Sequence, residues 1–452
     1  MKIIIIGCGN VGKALTEQLS QEGHNIVVVD IKPELVQAVS NTYDVLGVVG
    51  NGTSYHVLLD AGIEQADLVI AVAGSDELNL LCCVVAKKAG NCHLIARVSN
   101  PVYREEIDFI RKEMGINMIV NPDLAVANAV ARLIKYPSAI EIASFAKDRI
   151  EMMKIQISAD SNLCNCCLKD IKERVGIKIL VCMVEREDEV TIPNGNFVLQ
   201  ERDLIYVVTS SRDAYLFLQK INMYSQPVRT TMIVGGGQAT VYLAEQLCSM
   251  GIEVKIIESN PNRCVELCEL LPQAVVICGD GTDRDLLTEE EVEQTGAFIA
   301  WTNIDEENIM LSLYVKSVSN AKLVTNIHRV NYDKIIKNME LGSIIYPKDI
   351  TAEYIIRYIR AMQNSLGSNV ETLYRLVENR VEALEFIVKD DATAIINIPL
   401  SLLNLKDNVL ICCIQHKGKV ITPKGTDVIM PGDSVVVMTT IMGLRDIHDI
   451  LK

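Results

Sequence analysis

Three glycines and one acid carry the clearest chemistry in the chain. The run IIIIGCGNVG, residues 3–12, spaces Gly7, Gly9 and Gly12 as GxGxxG, directly after β-branched residues and at the start of a helical stretch. In that setting Gly7 permits a tight turn, Gly9 lets the backbone approach a pyrophosphate, and Gly12 allows close helix–strand packing. Cys8, Asn10 and Val11 complete the loop at a helix N-terminus, where free N–H groups and a partial positive charge face phosphate. Asp30 ends the following run, IVVVD. Its carboxylate can accept hydrogen bonds from both ribose hydroxyls and would repel a 2′-phosphate, which predicts NAD(H) over NADP(H). The same pocket could hold the ribose of ATP or ADP. The plainer alternative is a loop that only turns the chain and an Asp30 that is a solvated strand end.

Other positions converge on this pocket. Ala73, Gly74 and Ser75 follow the strand-like DLVIAV, and ligands bind at the C-terminal ends of parallel strands. Arg97, after HLIA, can reach a phosphate with a charge-assisted contact or serve a salt bridge. Thr53 in GNGT is either a ligand contact or a helix cap. No metal set is expected: Cys164, Cys166 and Cys167 form the tightest cysteine cluster, without a CxxC pair or a nearby His. Nor is a proton-transfer set evident that would make the chain a dehydrogenase.

The elements that must position these residues occur twice. IIIIGCGNVG is repeated by MIVGGGQAT at residues 232–240, Asp30 by Glu258, and GNGT by GDGT at residues 279–282. GSDELN at residues 74–79 returns as NIDEEN at residues 303–308, and TIPNG at 191–195 as ITPKG at 421–425. The nearly constant offset indicates duplication of one unit. Gly235, Gly237 and Glu258 therefore mark a second candidate site, with two departures: Thr240 replaces the third glycine and Asn326 replaces Arg97. These predict a site that binds more weakly, takes a different ligand such as an adenosine nucleotide, or stays empty.

Each unit alternates β-branched runs with helical stretches, the pattern of a doubly wound parallel sheet, and ends in a shorter, strand-rich part. The expected organisation is α/β: a Rossmann-like domain over 1–136, a small α+β domain over 137–226, a second Rossmann-like domain over 227–366 and a second small domain over 367–452. YSQPVR at residues 224–229 reads as the linker between units, and the join inside the second unit falls at 364–369.

A net charge of −15 over 452 residues, with no run of five Lys/Arg, argues against nucleic acid as a partner. No apolar stretch approaches the roughly 18 residues of a membrane-spanning helix, and the N-terminus does not read as a signal peptide. Together with 14 cysteines set mostly in apolar runs, these features read as a cytoplasmic protein.

The order GCGNVG, Asp30, GNGT, Ala73 and IARVSNPVY around Arg97, followed by a small domain and then repeated, resembles the TrkA family of regulatory proteins. The first part of each unit is similar to the RCK/KTN domain and the second to the TrkA C-terminal domain. The resemblance implies a non-enzymatic regulator that binds NAD(H), with ATP or ADP as further ligands, and assembles as a homo-oligomeric ring. It also implies docking on the inner face of the cell membrane against a potassium-translocating, TrkH-like subunit.

Overall fold

The computed structural model describes all residues except 147–148, 178, 188, 223–226, 330–334, 337–338, 340, 365–369, 378–379, 391 and 445, and the side chains of 361, 363 and 364. Half of the expected linker, 224–226, and most of the expected join, 365–369, lie outside the described residues.

The first unit begins with six strands: β1 (Lys2–Ile6), β2 (Asn25–Asp30), β3 (Leu46–Val49), β4 (Leu68–Ala71), β5 (His93–Arg97) and β6 (Met118–Val120). Their order is β3-β2-β1-β4-β5-β6, every pair parallel. Ile3, Ile4 and Ile5 are fully buried, because helices cover both faces of the sheet. Such burial is worth about 1.5–3 kcal/mol per side chain. The order reverses between β1 and β4, which opens a crevice at their C-terminal ends, where Gly7 and Ala73 lie.

The small sheet follows: β7 (Glu141–Phe145), β8 (Ile150–Gln156), β9 (Leu180–Arg186), β10 (Glu189–Thr191) and β11 (Leu204–Ser210), antiparallel in the order β10-β9-β11-β8-β7. The second unit repeats the parallel sheet with β12 (Thr230–Val234), β13 (Glu253–Glu258), β14 (Val275–Cys278), β15 (Ala297–Ala300), β16 (Lys322–Asn326) and β17 (Ser343–Ile345), in the order β14-β13-β12-β15-β16-β17. Its small sheet is β18 (Val370–Leu376), β19 (Val381–Ile387), β20 (Val409–His416), β21 (Lys419–Ile421) and β22 (Ser434–Thr439), ordered β18-β19-β22-β20-β21.

The two units exchange helices. Helix Pro122–Lys135 starts with Pro122 after the capping Asn121, and its apolar stripe of Val126, Val130 and Ile134 has the spacing of one buried face. That stripe packs on the second unit, against Val241, Tyr242 and Leu243. Reciprocally, helix Pro347–Asn364 sends Ala352, Ile355, Ile356 and Ile359 into the first unit's core beside Leu15 and Leu19. The small sheets also share one core: Phe145, Met152 and Cys182 face Tyr374, Cys412 and Met438. The Phe145 and Tyr374 rings meet edge-on, with centroids 5.0 Å apart. Neither crossover helix completes its own unit, so the pair of units is the compact body.

Candidate functional site

Asp30 closes β2 with its carboxylate already committed on one side. Its Oδ2 accepts the Cys8 N–H at 2.7 Å and its Oδ1 the Lys32 N–H at 2.9 Å. Because an ionised carboxylate offers about four acceptor positions, capacity remains for two hydroxyls. Gly7 takes φ +108°, and a side chain there would collide with Val72 and Ala73 at 2.8–2.9 Å. A Cβ on Gly12 would lie 1.9 Å from the Gly7 carbonyl oxygen, so that glycine sets how closely helix Asn10–Gln21 approaches β1.

These elements enclose a cleft of 570 Å³, the size of a small-molecule site. Gly7, Gly9, Asn10, Val11, Asp30, Ala73, Gly74 and Arg97 all line it. Four predicted residues do not. Cys8 is buried and contributes its N–H to Asp30, and Gly12 lies beneath the loop. The Thr53 hydroxyl donates to Asn51 Oδ1 at 2.9 Å. Ser75 caps helix Asp76–Ala89 by accepting the Leu78 N–H. Arg97 Nη1 donates to the Ala73 carbonyl at 3.4 Å, while its buried Nε has no partner in the protein.

The second cleft, 740 Å³, keeps the architecture and changes its chemistry. Glu258 Oε2 accepts the Gly236 N–H at 2.7 Å and Oε1 the Asn260 N–H at 2.8 Å, the same two bonds that Asp30 makes. The longer acid fits because Gly236 replaces Cys8: a Cβ on Gly236 would lie 2.8 Å from Glu258 Oε2. Thr240 is also accommodated. It is buried, and its hydroxyl donates to the Gly235 carbonyl at 2.7 Å, so the loop and its helix Gln238–Ser249 persist without the third glycine. Asn326, where the first cleft has Arg97, is 2 % exposed, and neither amide atom has a protein partner.

Each cleft is walled by both units. Pro347, Lys348, Thr351 and His328 of the second unit line the first cleft; Asp123 and Val126 of the first unit line the second. Asp123, His328 and Pro347 line both. Burial pushes the Asp123 carboxyl above the usual range, while nearby Arg97 pulls it back.

The family described as the TrkA-N domain matches residues 3–122 and 231–347, and the TrkA-C domain matches 152–222 and 383–452. The chain belongs to the TrkA family. Its similar curated proteins include a Trk system potassium uptake protein TrkA homolog of Archaeoglobus fulgidus, 29 % identical over 453 residues with all of both chains covered. A second Trk system potassium uptake protein trkA homolog, from Methanosarcina mazei, is 30 % identical over 89 % of this chain and 98 % of its own. The TrkA of Haemophilus influenzae is 29 % identical over 97 % and 95 %. Among solved structures, the GsuK RCK domain superposes with a TM-score of 0.61 at 16 % identity, covering 97 % of this chain and 92 % of its own. The GsuK channel bound to NAD gives 0.60 at 16 %, covering 97 % and 76 %. At that identity they establish the shared fold.

This TrkA-family chain contains site residues that sequence reasoning passed over. Asn79 is fully buried: its Oδ1 accepts the Ala73 N–H at 2.7 Å, and its Nδ2 donates to the carbonyls of Ala73 and Arg97. Asn308 makes the same three bonds to Thr302 and Asn326. Each asparagine clamps two strand ends at the floor of its cleft, and retention of DELN and DEEN in both repeats was the available signal. Histidine–carboxylate pairs, absent from the sequence reading, also form: His328 with Asp305 at 3.2 Å beside the clefts, and, in the second small domain, His416 with Asp433 and His448 with Asp446, each at 2.6 Å. Neither small-domain pair lines a cleft. In the first small domain, Arg186 pairs with Asp203 at 2.7 Å where the second has His416 and Asp433, so that pair is a structural clasp. Among the described residues, no helix is long and apolar enough to cross a membrane.

Proposed function

We propose that this chain is a nucleotide-sensing regulatory subunit of a potassium-uptake transporter, gating a membrane-embedded TrkH-like partner from the inner face of the cell membrane. The observation that carries this reading is the first cleft, where a glycine loop, the Asp30 carboxylate and the unpartnered Arg97 Nε converge between two units. The residues fit a nucleotide. Open space over Gly9 admits a phosphate close to the backbone. Asp30 would hold a ribose, the N-terminus of helix Asn10–Gln21 the first phosphates, and Arg97 with Lys348 further negative charge. NAD(H), ATP and ADP are the proposed ligands, with Gly7, Gly9, Asn10, Val11, Ala73 and Gly74 as the lining, and Gly235, Gly237 and Glu258 as their second-cleft counterparts.

Gating follows from the shared walls. A ligand shifts a conformational equilibrium only by contacting two states differently. Lys348 and His328 approach the first cleft from the second unit, so occupancy bears on how the units sit together. We assign the domains to 1–136, 137–226, 227–366 and 367–452, the assembly to a homo-oligomeric ring, and the ligand's role to recognition without turnover. The curated relatives' shared name, Trk system potassium uptake protein, supports potassium as the transported ion.

Thermal denaturation with NAD, NADH, ATP and ADP tests the reading. At a hundredfold excess over Kd a ligand specific to the folded state stabilises by about 2.7 kcal/mol. At least one of the four should raise the melting temperature, with the shift from first-cleft binding lost in Asp30→Ala. No shift from any of them would overturn the proposal.

A further inference from the structure

We propose that Cys264 and Cys278 form a reversible disulfide site, oxidised by hydroperoxides, at the outer edge of the second parallel sheet. The two residues approach each other from different elements. Cys264 lies on helix Pro261–Leu270, and Cys278 ends the edge strand β14. Cys278 is in register with Glu258 on β13, and the Cys264 thiol donates to the Glu258 carbonyl at 3.3 Å. That arrangement sets the two sulfurs side by side, with the Cys278 thiol hydrogen-bonded to Cys264. Cys268 follows Cys264 by four residues, one turn along the same helix face. Among the described residues, no group of thiols, imidazoles or carboxylates surrounds a common point as metal ligands would.

Exposure sets the roles of the two thiols. Cys278 is exposed and Cys264 is buried. Burial pushes the Cys264 thiol up to about 11, so it stays protonated while Cys278 meets the oxidant. The Cys278 thiolate attacks a peroxide oxygen. An S–O bond forms, the O–O bond breaks, and the departing hydroxide takes the proton that Cys278 released, giving water. The Cys264 sulfur then attacks the Cys278 sulfenic acid. An S–S bond forms, the S–O bond breaks, and the hydroxide leaves with the Cys264 proton as a second water. Two thiols lose two electrons and one peroxide is reduced; an external thiol reverses the link by exchange.

Two comparisons within the chain single out this pair. The first unit has Val36, Ser40 and Val49 at the corresponding positions, so the site belongs to the second unit. Cys182 and Cys412 also touch, across the two small sheets, but both are fully buried and out of reach of an oxidant in solvent. The Cys264–Cys278 site adjoins the second cleft through Arg263, which lines that cleft and donates to the Gly236 carbonyl at 2.8 Å.

The test treats the reduced full chain with hydrogen peroxide and maps its thiols by mass spectrometry. Cleavage after Glu266 and Glu269 puts Cys264, Cys268 and Cys278 on separate peptides. The expected product is a link between Cys264 and Cys278 within one chain, lost on adding dithiothreitol, with Cys182 and Cys412 still reduced. Cys268→Ser should keep the link. Cys264→Ser should lose it and leave Cys278 as a sulfenic acid that dimedone captures. Peroxide that leaves Cys278 reduced, drives it to sulfinic acid, or joins it to any thiol except Cys264 would overturn the proposal. A link between Cys182 and Cys412 formed as readily would do the same, since that pair has contact without exposure. The wild-type map decides by itself, so a poorly folding variant does not protect the proposal, and nucleotide binding has no part in the readout.

Discussion

The two clefts share a scaffold and differ in what their walls carry. Both pin an acid to two backbone N–H groups, both turn the chain through a glycine with positive φ, and both clamp their floor with a buried asparagine. They part at Arg97 against Asn326 and Gly12 against Thr240, and Lys348 lines only the first cleft whereas Glu307 lines only the second. The shared features define the crevice, whereas the divergent ones change the charge and hydrogen-bonding groups it offers. The pair Cys8–Asp30 and Gly236–Glu258 shows how divergence stays tolerable: a longer acid is matched by a smaller neighbour, and the same hydrogen bonds survive.

Removing the exchange of helices should have the largest effect. Ile356→Ala on helix Pro347–Asn364 empties space in the first unit's core, at a cost of about 2–5 kcal/mol. Denaturant unfolding should show this loss, with the first cleft's ligand protection falling although the mutated residue belongs to the second unit. Unchanged stability would mean that the first unit does not depend on the borrowed helix. Next is the loop. Gly12→Thr imports the second unit's residue into a helix that approaches too closely, and should cost about 3 kcal/mol and abolish first-cleft binding. The reciprocal Thr240→Gly gives up one hydrogen bond and helix propensity, about 1–2 kcal/mol, and should leave second-cleft binding in place. Equal damage from both would erase the distinction between the loops, as read by melting temperature with and without ligand.

A pH series sharpens the contrast between the sheets. Lys322 begins β16, whereas exposed His93 begins β5. Lys322 Nζ donates to the Ala139 carbonyl, and burial pulls its ammonium down to about 7. A lysine depressed on folding binds fewer protons folded than unfolded, so its neutral form favours the fold. Stability should therefore rise between about pH 7 and 10, on the order of 1 kcal/mol per pH unit, and Lys322→Met should flatten the slope. The smallest effect belongs to the surface: Arg104 and Glu245 bridge the units at 3.0 Å, the arginine exposed and the glutamate half-buried. A double-mutant cycle should give less than about 1 kcal/mol of coupling.

Much of this was legible in the residues. GCGNVG and GGGQAT, each followed by an acid after the next strand, located both crevices, and the repeat offset paired the units. The sixth strands, β6 and β17, were not foreseen because three residues carry too little periodicity to register. The destination of helix Pro122–Lys135 was hidden for a different reason. An amphipathic stripe declares that one face is buried without naming the surface that buries it. For the same reason Asp123, His328 and Lys348, distant in sequence from the loops they face, could not be read as cleft residues. Thr53 shows the limit of motif reading, since GNGT returns as GDGT while both threonines bond their own loops, Thr53 to Asn51 and Thr282 to Asp280.

The exchanged crossover helices have one more consequence, which concerns stoichiometry. Two separate chains meeting through such helices would fall apart on dilution and could re-pair like with like. Joined in one polypeptide, the halves meet at an effective concentration set by their tether, commonly in the millimolar range for short connections. Their union is then indifferent to how much protein the cell makes. One cleft of each kind is present in every molecule, so any assembly of these molecules inherits the two in strict equal number.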